Sequence, residues 1–434
     1  MHLRRRSIVA LLLAGVAAAV IPTDPVVVLS FAGGLIAVLV IADVVQAPRA
    51  SALLPRRTIA NVLRMGRQAD ALIELYNPTG RRLAVEVHDA TPPSMGREPR
   101  RHRATIAPRG WVALSGTLRP SRRGRFSIGP ITIRTAGPLG LAGRQAKVTL
   151  LDEVKVYPSL RGRAEVELRF RRAQLLQSGL RATAYRGGSD EFDSLREYRS
   201  DDEFRRINWK ATARSPRPIA NEYREEHNQQ VVMLLDASRA TAGQVSGVSR
   251  LEHSLDAAIA VADLAARVGD HVGALAFGAD VRAFVEPRGG PSQPPRILHL
   301  LFDLEAGLHA ANYPRAFAAL LARHRRRAWL VLFTDLSEET VLEPLLRAIP
   351  VLLSRHLLVV ASVRDPEVEA LATAVPWTSE DAYDRASAAG FVTWRDRAAA
   401  RIRALGATVI DAQPGTLAAA VADEYLQIKS RGRL

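Results

Sequence analysis

Two groups of residues in this 434-residue chain have the types and spacing for chemistry. In the first, Glu191, Asp193, Glu197, Asp201, Asp202 and Glu203 crowd among Arg196, Arg199, Arg205 and Arg206, just before Trp209. A positioned, perturbed carboxylate pair would suit acid–base work, but the adjacent Asp201 and Asp202 need not converge. So many opposite charges at short spacing can also pair with one another. As a network they would fix a polar segment against a domain face, where single exposed pairs contribute little. Ile207 and Trp209 alternate with polar neighbours and are expected to anchor one face. Lys210 and Arg214, four apart, would share a side if the segment is helical. In the second group, the apolar run 231–235 ends on Asp236 and Ser238, and the run 329–333 ends on Thr334 and Asp335.

Several chemistries lack their residues. Cysteine is absent, which removes disulfides, zinc–thiolate sites and thiol nucleophiles and fits a reducing compartment. The ten histidines are scattered and form no H-E-x-x-H, and His253 and His271 read as ordinary surface or packing residues. No G-x-S-x-G surrounds Ser238. The glycine-rich Gly137–Gly143 is followed by neither Gly-Lys-Ser/Thr nor a helix, so it reads as a fixed turn and not as a phosphate loop.

The elements that must position these groups alternate in the C-terminal half. Val231–Leu235 is wholly apolar, as a strand buried on both faces must be. Leu251, Leu255, Ile259, Ala262 and Ala266 follow at helical spacing. Strands are expected over 272–277, 281–285, 329–333, 356–361 and 408–410. Helices are expected over 297–304, 316–323, 338–349, 379–405 and 415–428. This pattern predicts an open, mostly parallel, doubly wound sheet whose ligands sit at the carboxyl ends of its strands. Asp236 and Asp335 end two of those strands.

Upstream, residues 56–165 hold short alternating runs such as Ala71–Tyr76 and Leu83–Val87, split by Asn77-Pro78-Thr79-Gly80 and similar turns. They predict an all-β, antiparallel, sandwich-like module. Its Arg122, Arg123 and Arg125 read as a solvated turn. Ahead of it lie two apolar runs, 7–21 and 26–45, separated by Pro22-Thr23-Asp24-Pro25. They predict a transmembrane helix hairpin. Arg4–Arg6 before it and Arg49, Arg56 and Arg57 after it place both ends, and the body, in the cytoplasm. A cleaved signal peptide is the competing reading of the first run. The net charge of +16 suits an anionic inner leaflet. With aromatics at only 6%, nucleic-acid binding lacks its stacking platforms.

Arg196-x-Tyr198, Asp202, Arg205, Ile207-Asn208-Trp209-Lys210 and Ala213-Arg214 resemble the signature of the domain-of-unknown-function 58 family. The upstream RRGRFSIGP, GPLGL and VYPSL segments are similar to that family's as well. Asp201 departs from the family, which has Gly there. Asp236-x-Ser238, with the later Thr334-Asp335, is similar to a von Willebrand factor A domain, a Rossmann-like fold. In that family an Asp-x-Ser-x-Ser loop, a Thr and a further Asp cradle Mg²⁺ through hard oxygen ligands. Here Ala240 replaces the second Ser and no Thr stands in His309–Pro314, with Asn312 the substitute on offer. The resemblance therefore implies a degenerate MIDAS-like site: either a weakly held, hydrated Mg²⁺ on Asp236, Ser238 and Asp335, or a hydrogen-bonded remnant.

The expected organisation is a membrane anchor at 1–50, a β module at 51–165, a signature linker at 166–228 and a von Willebrand A-like domain at 229–434. The expected function is a membrane-tethered, non-enzymatic interaction or assembly platform. The resemblance implies a MoxR-type AAA+ ATPase as partner and an unidentified client protein. Arg196, Tyr198, Asp202, Arg205, Asn208, Trp209, Lys210 and Arg214 are its candidate contact residues. The alternatives are a hydrolase or transferase using the signature carboxylates, or an anionic-lipid or nucleic-acid binder.

Overall fold

The computed structural model describes residues 2–3, 5–20, 24–180, 190–199, 204, 207–225, 229–337 and 339–431. The chain is a mixed α/β protein that divides into two compact units, Met1–Ser159 and Leu160–Leu434.

The first unit begins with a two-residue strand, β1 (His2–Leu3), and two helices, α1 (Arg5–Val20) and α2 (Pro25–Gln46). Asp24 caps α2, accepting from the Val26 N–H, and Pro25 fits the first helical position because its missing N–H would go unpaired there anyway. Among the described residues, α2 alone is long and apolar enough to cross a membrane, and it keeps large side chains such as Phe31 exposed. At 16 residues, α1 is shorter, about 24 Å at 1.5 Å per residue.

Ten strands follow: β2 (Leu54–Ile59), β3 (Val62–Arg64), β4 (Ala69–Tyr76), β5 (Leu83–Asp89), β6 (Arg101–Ile106), β7 (Trp111–Leu118), β8 (Gly124–Ile128), β9 (Ile131–Ala136), β10 (Ala142–Val148) and β11 (Asp152–Tyr157). They form sheets of order β1-β10-β9-β5-β6, β2-β4-β7 and β3-β11-β8. Side chains alternate along each strand, so Ile73 and Leu75 of β4, Val85 and Val87 of β5 and Ile131 and Ile133 of β9 meet in one core.

The single acid of α2 has a defined place in this unit. Asp43 is fully buried and accepts from the backbone N–H groups of Leu139, Leu141 and Ala142 at 2.7, 2.7 and 2.8 Å. Leu139 and Leu141 belong to the G-P-L-G-L turn, and Ala142 opens β10. A Cβ on Gly137 would fall 2.2 Å from the Asp43 carboxylate, so only glycine permits the approach. Gly140, with φ +69°, completes the turn. Arg144 adds a bond to the Val44 carbonyl at 3.0 Å.

The second unit opens with α3 (Gly162–Leu180), then the ribbon β12 (Asp190–Glu197) and β13 (Ile219–Glu225) with the short α4 (Trp209–Thr212) between them. Its main sheet is built from β14 (Gln230–Asp236), β17 (His271–Phe277), β18 (Val281–Arg288), β19 (Trp329–Phe333), β20 (Leu357–Val363) and β21 (Thr408–Ala412). A two-residue ribbon, β15 (Gln244–Val245) and β16 (Val248–Ser249), leads into α5 (Arg250–Arg267). The remaining helices are α6 (Gln293–Leu301), α7 (Tyr313–Arg323), α8 (Glu339–Leu353), α9 (Pro366–Thr373), α10 (Ser379–Ala404) and α11 (Leu417–Ser430).

The sheet order is β18-β17-β14-β19-β20-β21, parallel except for the antiparallel edge strand β18. β14 explains why its sequence is apolar throughout. Val231, Met233 and Leu235 face a core lined by α5 and α11, while Val232 and Leu234 face one lined by α7, α8 and α10. Chain order reverses between β14 and β19, which is where doubly wound sheets open a crevice at their carboxyl ends.

Candidate functional site

That reversal point carries the second group of chemical residues. Asp236 ends β14, and Thr334-Asp335 follows β19, its hydrogen-bonded neighbour. Asp236 is fully buried, and its carboxylate is occupied by the protein itself. Oδ1 accepts from the Ser238 N–H at 2.9 Å. Oδ2 accepts from Thr334 Oγ1 at 2.6 Å and from the Tyr313 hydroxyl at 3.0 Å. Burial pushes the Asp236 carboxyl up from the ordinary carboxylate range, and the hydrogen bonds from Thr334, Ser238 and Tyr313 offset part of the rise. The Tyr313 phenol, buried beside that charge, is held well above its usual range.

Ser238 caps the short turn that follows and accepts from the Ala240 N–H at 3.3 Å. Thr241 reaches back to the Asp236 and Ser238 carbonyls at 2.9 and 3.1 Å. Asn312, the expected substitute ligand, instead caps α7 by accepting from the Arg315 N–H at 3.1 Å. Its neighbour Tyr313 is the residue that enters the site.

Asp335 sits in an ion network. Arg395 of α10, itself buried, donates to Asp335 Oδ1 at 2.8 Å, Asp411 Oδ1 at 2.7 Å, Ser362 Oγ at 2.7 Å and the Val363 carbonyl at 3.1 Å. Burial alone would lower the Arg395 pKa, but Asp335 and Asp411 outweigh it and hold the guanidinium above the ordinary arginine value. Arg250 of α5 stands 3.5 Å from Asp335, and Ser337 donates to its other oxygen. Arg364 extends the network to Asp411, Glu369 and Asp396.

A hydrated Mg²⁺ wants six oxygens in near-octahedral array, with free carboxylate lone pairs among them. Here the lone pairs of Asp236 already accept hydroxyl and amide protons, and two guanidinium groups flank Asp335. Ala240 brings no oxygen. The donor set of Asp236, Ser238 and Asp335 fits a hydrogen-bonded remnant better than a cation site. Among the described residues no group of three or more His, Asp or Glu is placed to hold a metal.

The first group of residues lies elsewhere in this unit. Asp202 and Arg205, with Asp201, fall outside the described residues. Arg196 is on β12, paired with Ala220, and the Tyr198 N–H donates to the Pro218 carbonyl at 2.9 Å. Asn208 caps α4, accepting from the Ala211 N–H at 3.0 Å and donating to Asn221 at 2.8 Å. Ile207 is buried as expected. Trp209 is not an anchor: it is 61% exposed, edge-on to Phe204 at 5.5 Å. Lys210 lies within α4, but the helix stops at Thr212, so Arg214 falls in the turn beyond and the helical pairing of the two is not formed. Glu197 pairs with Arg217 at 3.0 Å.

Residues 194–403 match the family model described as protein of unknown function DUF58. Over that span, this chain is a member of the DUF58 family. The matched region takes in β13, α4, the whole crevice at β14 and β19, and all but the last residue of α10. Solved structures resemble parts of the chain. BatB from Bacteroides thetaiotaomicron aligns at 13% identity over 48% of this chain and 99% of its own, with a TM-score of 0.32. The CARDB domain of the PF1109 protein from Pyrococcus furiosus, in complex with di-metal ions, aligns at 12% identity over 24% of this chain and 86% of its own, with a TM-score of 0.19. Likenesses this weak do not bear on function. No curated protein matches the chain.

Proposed function

We propose that this DUF58 protein is a membrane-tethered, non-enzymatic platform for protein assembly, built on a von Willebrand A-like domain and acting with a MoxR-type AAA+ ATPase. One observation carries the reading. The residues at the reversal point of the sheet, where such folds bind ligands, are buried and already partnered, Asp236 with Ser238, Tyr313 and Thr334, and Asp335 with Arg395, Arg250 and Ser337. Asp236, Ser238, Tyr313, Thr334 and Asp335 form a fixed floor without a free base or nucleophile. A floor of that kind suits recognition better than turnover. The strand order with its antiparallel edge, and the D-x-S and T-D pairs at neighbouring strand tips, support the von Willebrand A-like reading. Two helices at the amino end, the second able to span a bilayer, support tethering with the body on the cytoplasmic face. The ATPase and its client come from the family resemblance alone, since a fold does not fix a function.

The test is affinity purification of the full chain from membranes, with the ATPase trapped by a non-hydrolysable ATP analogue, with and without EDTA. Recovery of a MoxR-type ATPase in both arms is expected. Recovery of none would refute the partnership. Because EDTA also takes the Mg²⁺ of the trapped nucleotide, loss in that arm would restore the metal-bridged form of the contact only if Asp236→Asn also lost the ATPase with Mg²⁺ present.

A further inference from the structure

Among the described residues of the second unit, the most exposed aromatic side chains lie where α9 leads into α10. Trp377 is 88% exposed, Tyr383 is 75% exposed, and Val375 and Leu371 accompany them. Every residue from Trp377 to Ser387 is exposed, so the first turns of α10 bury nothing. The segment is nevertheless tightly formed. Thr378 and Asp381 make a reciprocal capping box, and Asp381 also accepts from the Trp377 N–H at 3.1 Å. A formed helix end that presents a tryptophan to water spends apolar surface with no return inside its own fold.

Charge identifies the occupant. Between Arg364 and the exposed Arg385, residues 365–384 contain six carboxylates, Asp365, Glu367, Glu369, Glu380, Asp381 and Asp384, in a chain of net charge +16. Asp365 and Asp381 are spent on helix caps and Glu369 on Arg364. Glu367, Glu380 and Asp384 are exposed. An anionic lipid surface would be repelled by this rim. A basic segment with apolar side chains would find an aromatic anchor surrounded by charges of the opposite sign, the arrangement in which one central Trp dominates affinity.

We propose that the α9–α10 tip is the docking surface for a basic, amphipathic helical segment of a partner protein. The proposal deepens the platform reading and rests on it, since it names the class of segment such a platform would take.

The experiment uses the full chain in zwitterionic nanodiscs and, as probe, a fluorescent amphipathic Leu/Lys helix peptide, with a Leu/Glu peptide of the same length for comparison. Wild type should bind the Leu/Lys peptide with an affinity that falls as salt rises. Trp377→Ala should weaken binding by about tenfold, the loss expected of a central aromatic. Glu380→Gln with Asp384→Asn should weaken it several-fold and flatten the salt dependence. Because Trp377 is exposed, its replacement should leave hydrogen exchange in the buried part of α10 unchanged, which separates lost docking from lost folding. The proposal is overturned if Trp377→Ala binds as well as wild type, or if the Leu/Glu peptide binds equally. It is also overturned if the tryptophan instead mediates binding to phosphatidylglycerol vesicles, or self-association of the chain. Recovery of the ATPase by the wild-type chain, alongside failure of that chain to bind the Leu/Lys peptide, would retire this surface and leave the platform standing. Peptide binding without the ATPase would do the reverse.

Discussion

Replacing Arg395 with alanine tests how the strand-tip site is held together. The wild-type guanidinium bridges Asp335 at 2.8 Å and Asp411 at 2.7 Å, and both carboxylate side chains are at most 3% exposed. Alanine leaves those two anions buried without the cation between them. Deleting one partner of a buried ion pair costs about 3–5 kcal/mol. Each carboxylate keeps a second cation, Arg250 at 3.5 Å for Asp335 and Arg364 at 3.0 Å for Asp411, so the lower figure, about 3 kcal/mol, applies. Read by hydrogen–deuterium exchange in peptides covering β19 and β20, that is roughly a 150-fold rise in exchange where opening of the sheet is a fast pre-equilibrium ahead of exchange. The variant also empties the space between the two carboxylates of its bridging guanidinium, leaving Arg250 beside Asp335 and Arg364 beside Asp411. About 10 mM Mg²⁺ should then slow exchange in the variant, by about 1.4 kcal/mol if the new site has a Kd near 1 mM, and leave the wild type unchanged. A variant within threefold of wild type would refute the energetic reasoning. Protection of the wild type by Mg²⁺ would refute the reading of the site as metal-free.

Two further perturbations address other parts of the chain. Asp43→Ala strips the acceptor from three backbone N–H groups, two in the G-P-L-G-L turn and one at the start of β10, at about 1–3 kcal/mol for each group left buried and unpaired. Gly137→Ala drives a methyl into the same carboxylate, so both variants should expose the turn to limited proteolysis, and an intact turn in either would contradict the geometry. His356 is buried against His324, with burial first and the charges of His324 and Arg355 next in lowering its pKa from 6.5 to about 4. Between those values the unfolded chain binds more protons than the folded one, so stability is complete above pH 6.5 and lost as pH falls toward 4. His356→Phe should flatten that acid limb in urea denaturation monitored through the second unit; an unaltered limb would assign it to other groups.

Much of the second unit was legible because its strands are sealed on both faces. Val231–Leu235 could be read as a buried strand from its composition alone, and Asp236 and Asp335 could be placed at strand tips. Helix starts were less exact: α6 begins at Gln293 and α7 at Tyr313, each a few residues ahead of the apolar spacing that announced it, because their first turns open on Pro294 and Pro314. The partners of the site were invisible. Tyr313 lies 77 residues from Asp236, and Arg395 lies 60 from Asp335 on a helix rich in arginine, where no local feature sets it apart. A Tyr next to a capping Asn and a helix-opening Pro was the one available signal, since it fixes the direction of the ring. Trp209 misled for the opposite reason. Alternation with polar neighbours suggests a buried face, but α4 is a single turn that buries none of its own residues, while Ile207 bridges to Ala220 of β13. Asp43 and the glycine turn were each conspicuous, yet nothing local to either announces a bond across 96 residues.

The three amides that grip Asp43 make the last turn of α2 and the edge of a β sheet one mechanical part. With α2 in a bilayer, a sideways pull on the β module becomes a tilt of the helix among the lipids, since no swivel separates them. Thinning or thickening of the membrane would be felt in the module by the same lever.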